Sequence, residues 1–177
     1  MAFVNPEEIV KKRFNLQPGM AVADFGAGSG YYTLAAAEIV SDSGVVYAVD
    51  IQKDLLEKIK TRAEDEGLKN VEIIWADLDR PEGSRIAENS LDFVVISNIL
   101  FQTENKPAVA REAFRVLKSG GAAGVIDWSE SFGGLGPRPE DVLKRQDCEK
   151  LFLEAGFAVE KDFEAGEHHY GFLFRKP

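Results

Sequence analysis

Val22-Ala23-Asp24-Phe25-Gly26-Ala27-Gly28-Ser29-Gly30-Tyr31-Tyr32-Thr33 is the stretch on which the reading of this chain turns. An apolar run of strand length ends in three glycines at alternate positions, and a run with helical spacing follows. Glycines at such a strand-to-helix turn let the backbone bend tightly and approach a ligand with no Cβ in the way. In open α/β sheets this turn lies at the carboxyl ends of the strands, where ligands bind. The spacing discriminates among ligands. A dinucleotide fingerprint G-x-G-x-x-G counted from Gly26 needs a third glycine at position 31, which is Tyr31. No Gly-Lys-Ser/Thr follows either, which excludes a P-loop.

Apolar runs of strand length recur at Met20–Phe25, Val45–Val49, Val71–Trp75, Leu91–Ser97 and Ala122–Trp128. They are continuously apolar rather than alternating, as strands buried on both faces require. Between them lie helical patterns. Leu34 to Ala37 are small or aliphatic, Leu55, Leu56, Ile59 and Ala63 form one face closed by Gly67, and Val109, Ala113, Val116 and Leu117 precede a stop at Ser119-Gly120-Gly121. Alternating strands and helices predict a doubly wound, mostly parallel α/β sheet with helices on both faces. Gly133, Gly134, Gly136, Pro137 and Pro139 make Ser129–Glu140 a loop. A helix is expected from about Asp141 to Ala155, stopped by Gly156. Phe157–Phe163 and His169–Phe174 then read as an antiparallel hairpin at the sheet edge, bringing the strands to seven. Ile9, Val10 and Phe14 give the lead-in an apolar face, and Lys11, Lys12 and Arg13 a basic one.

The 177 residues predict one domain. With 21 basic and 30 acidic residues the net charge is −9, which argues against a polynucleotide partner while leaving room for a local basic patch at Lys11–Arg13. No window is apolar enough for a membrane span, and no secretory signal is visible, so a cytoplasmic protein is expected. Cys148 is the one cysteine, excluding a disulfide framework or cysteine-cluster metal site, and it reads as a small core residue of a helix.

A second signal joins the glycine turn. Asp50 ends the second strand, 20 residues beyond Gly30, where nucleoside-binding folds place a carboxylate for the ribose hydroxyls. Asp77 follows the third strand, with Asp79 a competing acid two residues on. Together with Leu91-Asp92-Phe93-Val94-Val95-Ile96-Ser97-Asn98 and Arg115-Val116-Leu117-Lys118-Ser119-Gly120-Gly121, these stretches resemble the motifs of the class I S-adenosylmethionine-dependent methyltransferases in order. The likeness runs from about Gly19 to Trp128. It implies a lead-in helix over 1–18, a cofactor-binding core over 19–128, the loop 129–140, and a helix with edge hairpin over 141–177.

The resemblance implies S-adenosylmethionine as cofactor and assigns roles residue by residue. Gly26, Ala27, Gly28 and Gly30 would bring backbone to its methionine part, with Asp24 bracing the loop or the ammonium. Asp50 would take the ribose hydroxyls, Ile51 one adenine face, and Asp77 and Leu78 the adenine edge. Asn98 would lie beside the sulfonium. The sulfonium is already reactive, so position and exclusion of water are the demands on the protein. No base is required unless the acceptor must lose a proton. Candidates for a catalytic residue are Asn98, Asp127 and His169, with Gln102, Trp128, Tyr31 and His168 also near the expected edge; no metal is expected.

Asn98-Ile99-Leu100-Phe101 lacks the two prolines of amino-methylating enzymes acting on DNA adenine or glutamine. Arsenite methylation needs several cysteines, and Asp127 alone does not make the magnesium site of catechol-type enzymes. A small-molecule acceptor remains, in a branch like that of quinone biosynthesis. The short chain leaves the lead-in helix and the 129–140 loop as the expected lid, and a homodimer is compatible with this reading. The other readings are an NAD(P)-dependent oxidoreductase, against which Tyr31 argues, and a non-catalytic cofactor-binding partner subunit.

Overall fold

The long apolar runs become strands buried on both faces, and the computed structural model describes them within residues 4–177. They are β1 (Ala21–Phe25), β2 (Val45–Asp50), β3 (Val71–Trp75), β4 (Leu91–Ser97), β5 (Leu117–Trp128), β6 (Ala158–Gly166) and β7 (His169–Arg175). All seven form one sheet in the order β3-β2-β1-β4-β5-β7-β6. The first five pair in parallel, and β7 runs antiparallel between β5 and β6. This is the doubly wound sheet with a C-terminal hairpin that the alternation implies. The order reverses between β1 and β4, which opens a crevice at the carboxyl ends of the strands.

Alternation of side chains sorts the core into two layers. Ala23, Phe25, Val94, Ile96 and Val125 pack beneath α4 (Lys106–Val116) and α5 (Arg145–Glu154), against Val109, Ala113 and Phe152. Val22, Phe93, Val95 and Ile126 face α1 (Pro6–Arg13) and α2 (Tyr31–Val40), against Val10, Phe14, Ala36 and Val40. Ala48 lies under Leu56 and Ile59 of α3 (Lys53–Asp65). Each fully buried aliphatic or aromatic side chain here contributes about 1.5–3 kcal/mol.

Local chemistry sets the ends of the helices. Asn5 caps α1 by accepting the Glu8 N–H at 3.2 Å, with Pro6 in the first turn. Asn105 caps α4 by accepting from Ala108 at 3.3 Å. Beyond α3, Gly67 takes φ +72° and Leu68 N–H returns to the Ala63 carbonyl at 2.8 Å, a glycine-terminated stop. α1 can lie flat on the sheet because β5 has no side chain at Gly124, where a Cβ would come within 2.4 Å of the Phe14 ring.

Boundaries differ from the sequence reading in three places. β5 starts at Leu117 rather than Ala122. Ser119-Gly120-Gly121, expected to stop the helix, lies inside the strand: the Gly120 N–H donates to the Lys176 carbonyl and the Lys176 N–H to the Gly121 carbonyl, pairing this segment with the C-terminus. α5 starts at Arg145, not near Asp141. Pro139–Asp141 is a single 3-10 turn and Val142 is extended, which turns the Leu143 carbonyl to accept the Tyr170 hydroxyl at 2.9 Å. The hairpin turns at Glu167-His168, because β6 continues through Gly166. Residues 1–3 of the expected lead-in lie outside the described residues. No described helix is long and apolar enough to cross a membrane.

Candidate functional site

Where β1 gives way to α2, the chain needs its glycines for both conformation and space. Gly26, Gly28 and Gly30 have φ of +74°, +53° and +79°. A Cβ on Gly26 would stand 2.2 Å from Ile99 Cγ2, and one on Gly30 2.6 Å from Ile59 Cγ1. The turn is held by Gly26 and Ala27 N–H groups, both donating to the Val49 carbonyl at 2.8 and 3.0 Å. α2 then begins at Gly30 with no side chain capping its first turn. An uncapped helix start offers backbone N–H groups and a positive dipole end to an anion.

This turn forms one wall of a cavity of about 540 Å³ at the carboxyl ends of β1 to β4. Asp24, Asp50, Asp77 and Asp79 line it, and among the described residues no Lys, Arg or His does. Asp24 is buried and accepts the Thr33 hydroxyl at 2.7 Å; burial pushes its carboxyl up to about 6, the Thr33 bonds opposing. Asp50 closes β2 and braces the glycine turn. One of its oxygens accepts the Gly28 N–H at 2.9 Å and the other the Gln52 N–H at 2.9 Å. A carboxylate has about four lone-pair sites, so both oxygens keep acceptor capacity toward the cavity.

Ile51 is 60% exposed on the cavity rim, an apolar surface with nothing packed over it. Its carbonyl is fixed by Trp75 Nε1–H at 2.9 Å. Asp77 accepts from the Asp79 N–H and pairs with Arg80 Nε at 2.9 Å, whereas Asp79 accepts the Asn105 N–H at the start of α4. Both acids and Leu78 border the cavity. Asn98 lies across from the glycines at the end of β4, with φ +56°, and its N–H donates to the Ile126 carbonyl at 2.9 Å.

Of the residues lining the cavity, Asn98 has a buried Oδ1 with no hydrogen-bond partner, and the buried hydroxyls of Tyr32 and Ser97 have none but each other. Unpaired buried polar atoms are uncommon, and at a cavity wall they suit a polar ligand group. An acidic lining, an uncapped helix start, an apolar rim and an unpaired amide oxygen together fit a zwitterionic, cationic nucleoside such as S-adenosylmethionine.

All ten residues expected to hold the cofactor border this cavity. Two of the three candidate catalytic residues do not. Asp127 pairs across the strands with Tyr170 and turns to the layer holding Cys148; its Oδ1 accepts the Trp128 N–H at 2.8 Å, Oδ2 has no partner, and burial pushes the carboxyl up to about 7. His169 points to the other layer, its ring 4.1 Å from that of Trp128; burial pushes it down to about 4. Neither side chain reaches the cavity, because strand register at β5 and β7 fixes where each points. Gln102 does line it, and Tyr31 stands exposed at its edge with the Arg62 guanidinium 5.1 Å over the ring.

The two segments expected to form a lid lie differently. Val4 and Pro6 of the lead-in border the cavity, while no residue of 129–140 does. That loop is seated elsewhere: Gly136 abuts the Trp128 indole, Phe132 stacks on His168 at 3.9 Å, and Glu130 bonds His168 Nδ1 at 2.7 Å. Tyr32, Ser97 and Thr103 border the cavity but were not expected from sequence; hydroxyls at a strand end or helix start look the same there as caps.

Residues 16–153 match the family model described as a methyltransferase domain. The chain belongs to that family, in its class I, S-adenosylmethionine-dependent form. A demethylmenaquinone methyltransferase from Geobacillus sp. (strain WCH70) is 31% identical over 124 residues, covering 70% of this chain and 51% of the relative. A ubiquinone/menaquinone biosynthesis C-methyltransferase from Shewanella sp. (strain W3-18-1) is 30% identical over 155 residues, covering 86% of this chain and 58% of the relative. The chain thus spans little more than half the length of these methyltransferases. Among solved structures, a SAM-dependent methyltransferase from Aquifex aeolicus superposes with a TM-score of 0.87 at 27% identity, covering 98% of this chain and 90% of that one. The [4+2]-cyclase SpnF shares the fold alone, with a TM-score of 0.81 at 16% identity over 97% of this chain and 80% of that one.

Proposed function

We propose that this chain binds S-adenosylmethionine in the cavity at the carboxyl ends of β1 to β4 and transfers its methyl group to a small organic acceptor. The observation that carries the proposal is the acidic lining: four carboxylates and, among the described residues, no basic side chain bordering the cavity, Arg62 being turned outward onto the Ser29 carbonyl and the Tyr31 ring. That lining suits a cationic nucleoside and opposes a dinucleotide, whose pyrophosphate would face it. In this reading the Gly26–Gly30 turn and the start of α2 receive the carboxylate end of the cofactor. Asp50 accepts from the ribose hydroxyls, Ile51 covers one adenine face, and Asp77 with Leu78 receives the adenine edge. Asn98 and Ser97 orient the reacting end.

When bound, the cofactor supplies an electrophilic methyl group. The chain supplies position and water exclusion, which together account for much of the rate in a displacement of this kind. With Asp127 and His169 turned away from the cavity, Asn98 is the expected candidate that remains beside it. A neutral amide orients an acceptor rather than deprotonating it, which suits an acceptor that reaches the site as an anion or an electron-rich carbon. The names of the relatives make a quinone precursor the first acceptor to assay. The reading also carries a cytoplasmic setting, no nucleic-acid partner, one domain over residues 1–177 and a homodimer; the buried free thiol of Cys148 is compatible with a reducing compartment.

Calorimetric titration with S-adenosylhomocysteine, NAD and NADP tests the proposal. Saturable binding of the first alone, with methyl transfer from labelled S-adenosylmethionine to a quinone-precursor panel, is expected. Binding of a nicotinamide dinucleotide without binding of S-adenosylhomocysteine would overturn the cofactor assignment. Cofactor binding with no transfer to any acceptor would favour a partner-subunit role.

A further inference from the structure

Lys11-Lys12-Arg13 plays no part in the cofactor cavity. These residues form the last turn of α1 and border a second cavity, also of about 540 Å³, at the opposite end of the sheet. There β1 and β4 begin, β5 enters, and the β6–β7 hairpin has its open end. Six cations converge on this concavity from four elements: Lys11, Lys12 and Arg13 from α1, Lys118 from β5, Lys161 from β6 and Arg175 from β7. Two acids, Asp92 and Glu160, also line it, leaving an excess of four positive charges in a chain whose net charge is −9.

Both acids are already engaged. Asp92 accepts from Lys118 Nζ at 2.7 Å and from the Ala21 N–H at 2.8 Å, and Glu160 accepts from Arg175 Nε at 2.6 Å. Lys12 and Lys11 lean back along the helix toward Glu8 and Glu7, at 2.7 and 3.8 Å. Among the described residues, Arg13 and Lys161 have no carboxylate partner. Arg13 is nonetheless held in place, its guanidinium 5.2 Å over the Phe163 ring, so its forked donors are ordered without being neutralised.

Ordinary explanations account for these cations singly. Basic residues in the last turn of a helix complement its dipole, and a lysine on an edge strand discourages strand addition. Neither accounts for four elements bringing like charges to one hollow, which raises mutual repulsion. A concavity lined by one sign of charge focuses the field and concentrates counter-ions of the opposite sign. The hollow is much larger than a single phosphate needs, and its excess charge matches a diphosphate.

We propose that this second cavity binds a phosphate-bearing polyanion of about pyrophosphate size, gripped by Arg13 and Lys161. The source of that group is either a soluble phosphate ester or the headgroup of an anionic lipid, and both present the same chemistry to the cavity. The inference is independent of the cofactor assignment, since the two cavities share no lining residue.

The test is a calorimetric titration of the full chain with pyrophosphate at about 50 mM and about 300 mM salt, where screening differs strongly. It compares the wild type with the double variant Arg13→Gln/Lys161→Gln. Both positions are exposed, and the urea unfolding midpoint of each protein reports that the fold is intact. Saturable binding is expected, weakened about tenfold or more by the double substitution and by the higher salt, with the unfolding midpoint unchanged. Absence of saturable binding at low salt, or equal binding by the double variant, would overturn the proposal. Co-sedimentation with phosphatidylglycerol vesicles, against phosphatidylcholine controls, separates the sources. Retention lost in the double variant assigns the headgroup, and pyrophosphate binding without retention assigns the soluble ester. Retention that survives the double substitution counts against this cavity as the anion site.

Discussion

Asp50→Asn preserves the shape of the side chain and removes one acceptor. In the wild type each carboxylate oxygen accepts a backbone N–H at 2.9 Å, one from Gly28 and one from Gln52. An amide offers a single oxygen. Whichever way it is turned, its NH₂ faces one of those N–H donors, so flipping cannot restore both bonds. A hydrogen bond to a charged group is worth about 1.5–3 kcal/mol, and its loss falls on the glycine turn or on the start of α3. The expected loss of unfolding free energy, read by urea denaturation, is therefore about 1–3 kcal/mol. In the proposed role of Asp50 binding weakens as well, because the ribose hydroxyls would lose a charged acceptor. At about 1.5–3 kcal/mol this raises the S-adenosylhomocysteine dissociation constant by about 10- to 150-fold in calorimetry. Asp50→Ala opens the same N–H groups to water from the cavity and is expected to be no less stable than the amide variant. Binding by Asp50→Asn within about threefold of wild type would refute the double role of this carboxylate.

Asp127 is pushed up by burial to about 7 from 3.8, so its contribution to stability is complete below pH 4 and is lost as pH rises through 7. Asp127→Asn removes that loss, and the difference between the two proteins should change by a few kcal/mol between pH 4 and pH 8 in urea unfolding; parallel profiles would contradict it. His169 has the opposite sign. Its pKa is pushed down to about 4 from 6.5, so its contribution is present above pH 6.5 and lost as pH falls through 4. His169→Gln should therefore blunt the wild-type decline between pH 7 and pH 4 in thermal unfolding, with methyl transfer at pH 8 unchanged if the ring stays clear of the site. Gly26→Ala meets both its left-handed φ, about 1–2 kcal/mol, and Ile99; combined with Ile99→Ala it should be less destabilising than the sum of the single substitutions by about 1 kcal/mol or more, whereas additivity would show that Ile99 moves freely.

The central strands were legible because two-sided burial leaves a mark in the sequence itself, as in Val45–Val49 and Leu91–Ser97. The glycine turn and Asp50 were legible because conformation and chemistry restrict those positions to very few residue types. The misplaced boundaries share a different cause. β5 extends back to Leu117 because Gly120 and Gly121 pair with Lys176, more than fifty residues onward, and no local pattern records such a partner. The helical spacing runs ahead of the true start of α5 because Val142 and Leu143 continue it, while the bond from Tyr170 to the Leu143 carbonyl holds the backbone extended. Asp127 and His169 sit at the expected end of the sheet, but their directions follow from register, and register is set by pairing between β5 and β7. For the same reason the 129–140 loop, legible as a loop, gave no sign that Trp128 and His168 would hold it away from the cavity.

If S-adenosylmethionine binds where proposed, the four carboxylates around that cavity bear on turnover more than on the chemical step. Methyl transfer converts a sulfonium into an uncharged thioether, and its positive charge is already dispersing at the transition state. An acidic surround therefore favours the incoming cofactor over both the transition state and the spent product, and so cannot by itself accelerate the displacement. Its benefit falls on exchange: the demethylated product loses the attraction that brought its precursor in, and leaves more readily. Because this preference is electrostatic, added salt should narrow the gap between the two affinities and make the enzyme more prone to inhibition by its own product.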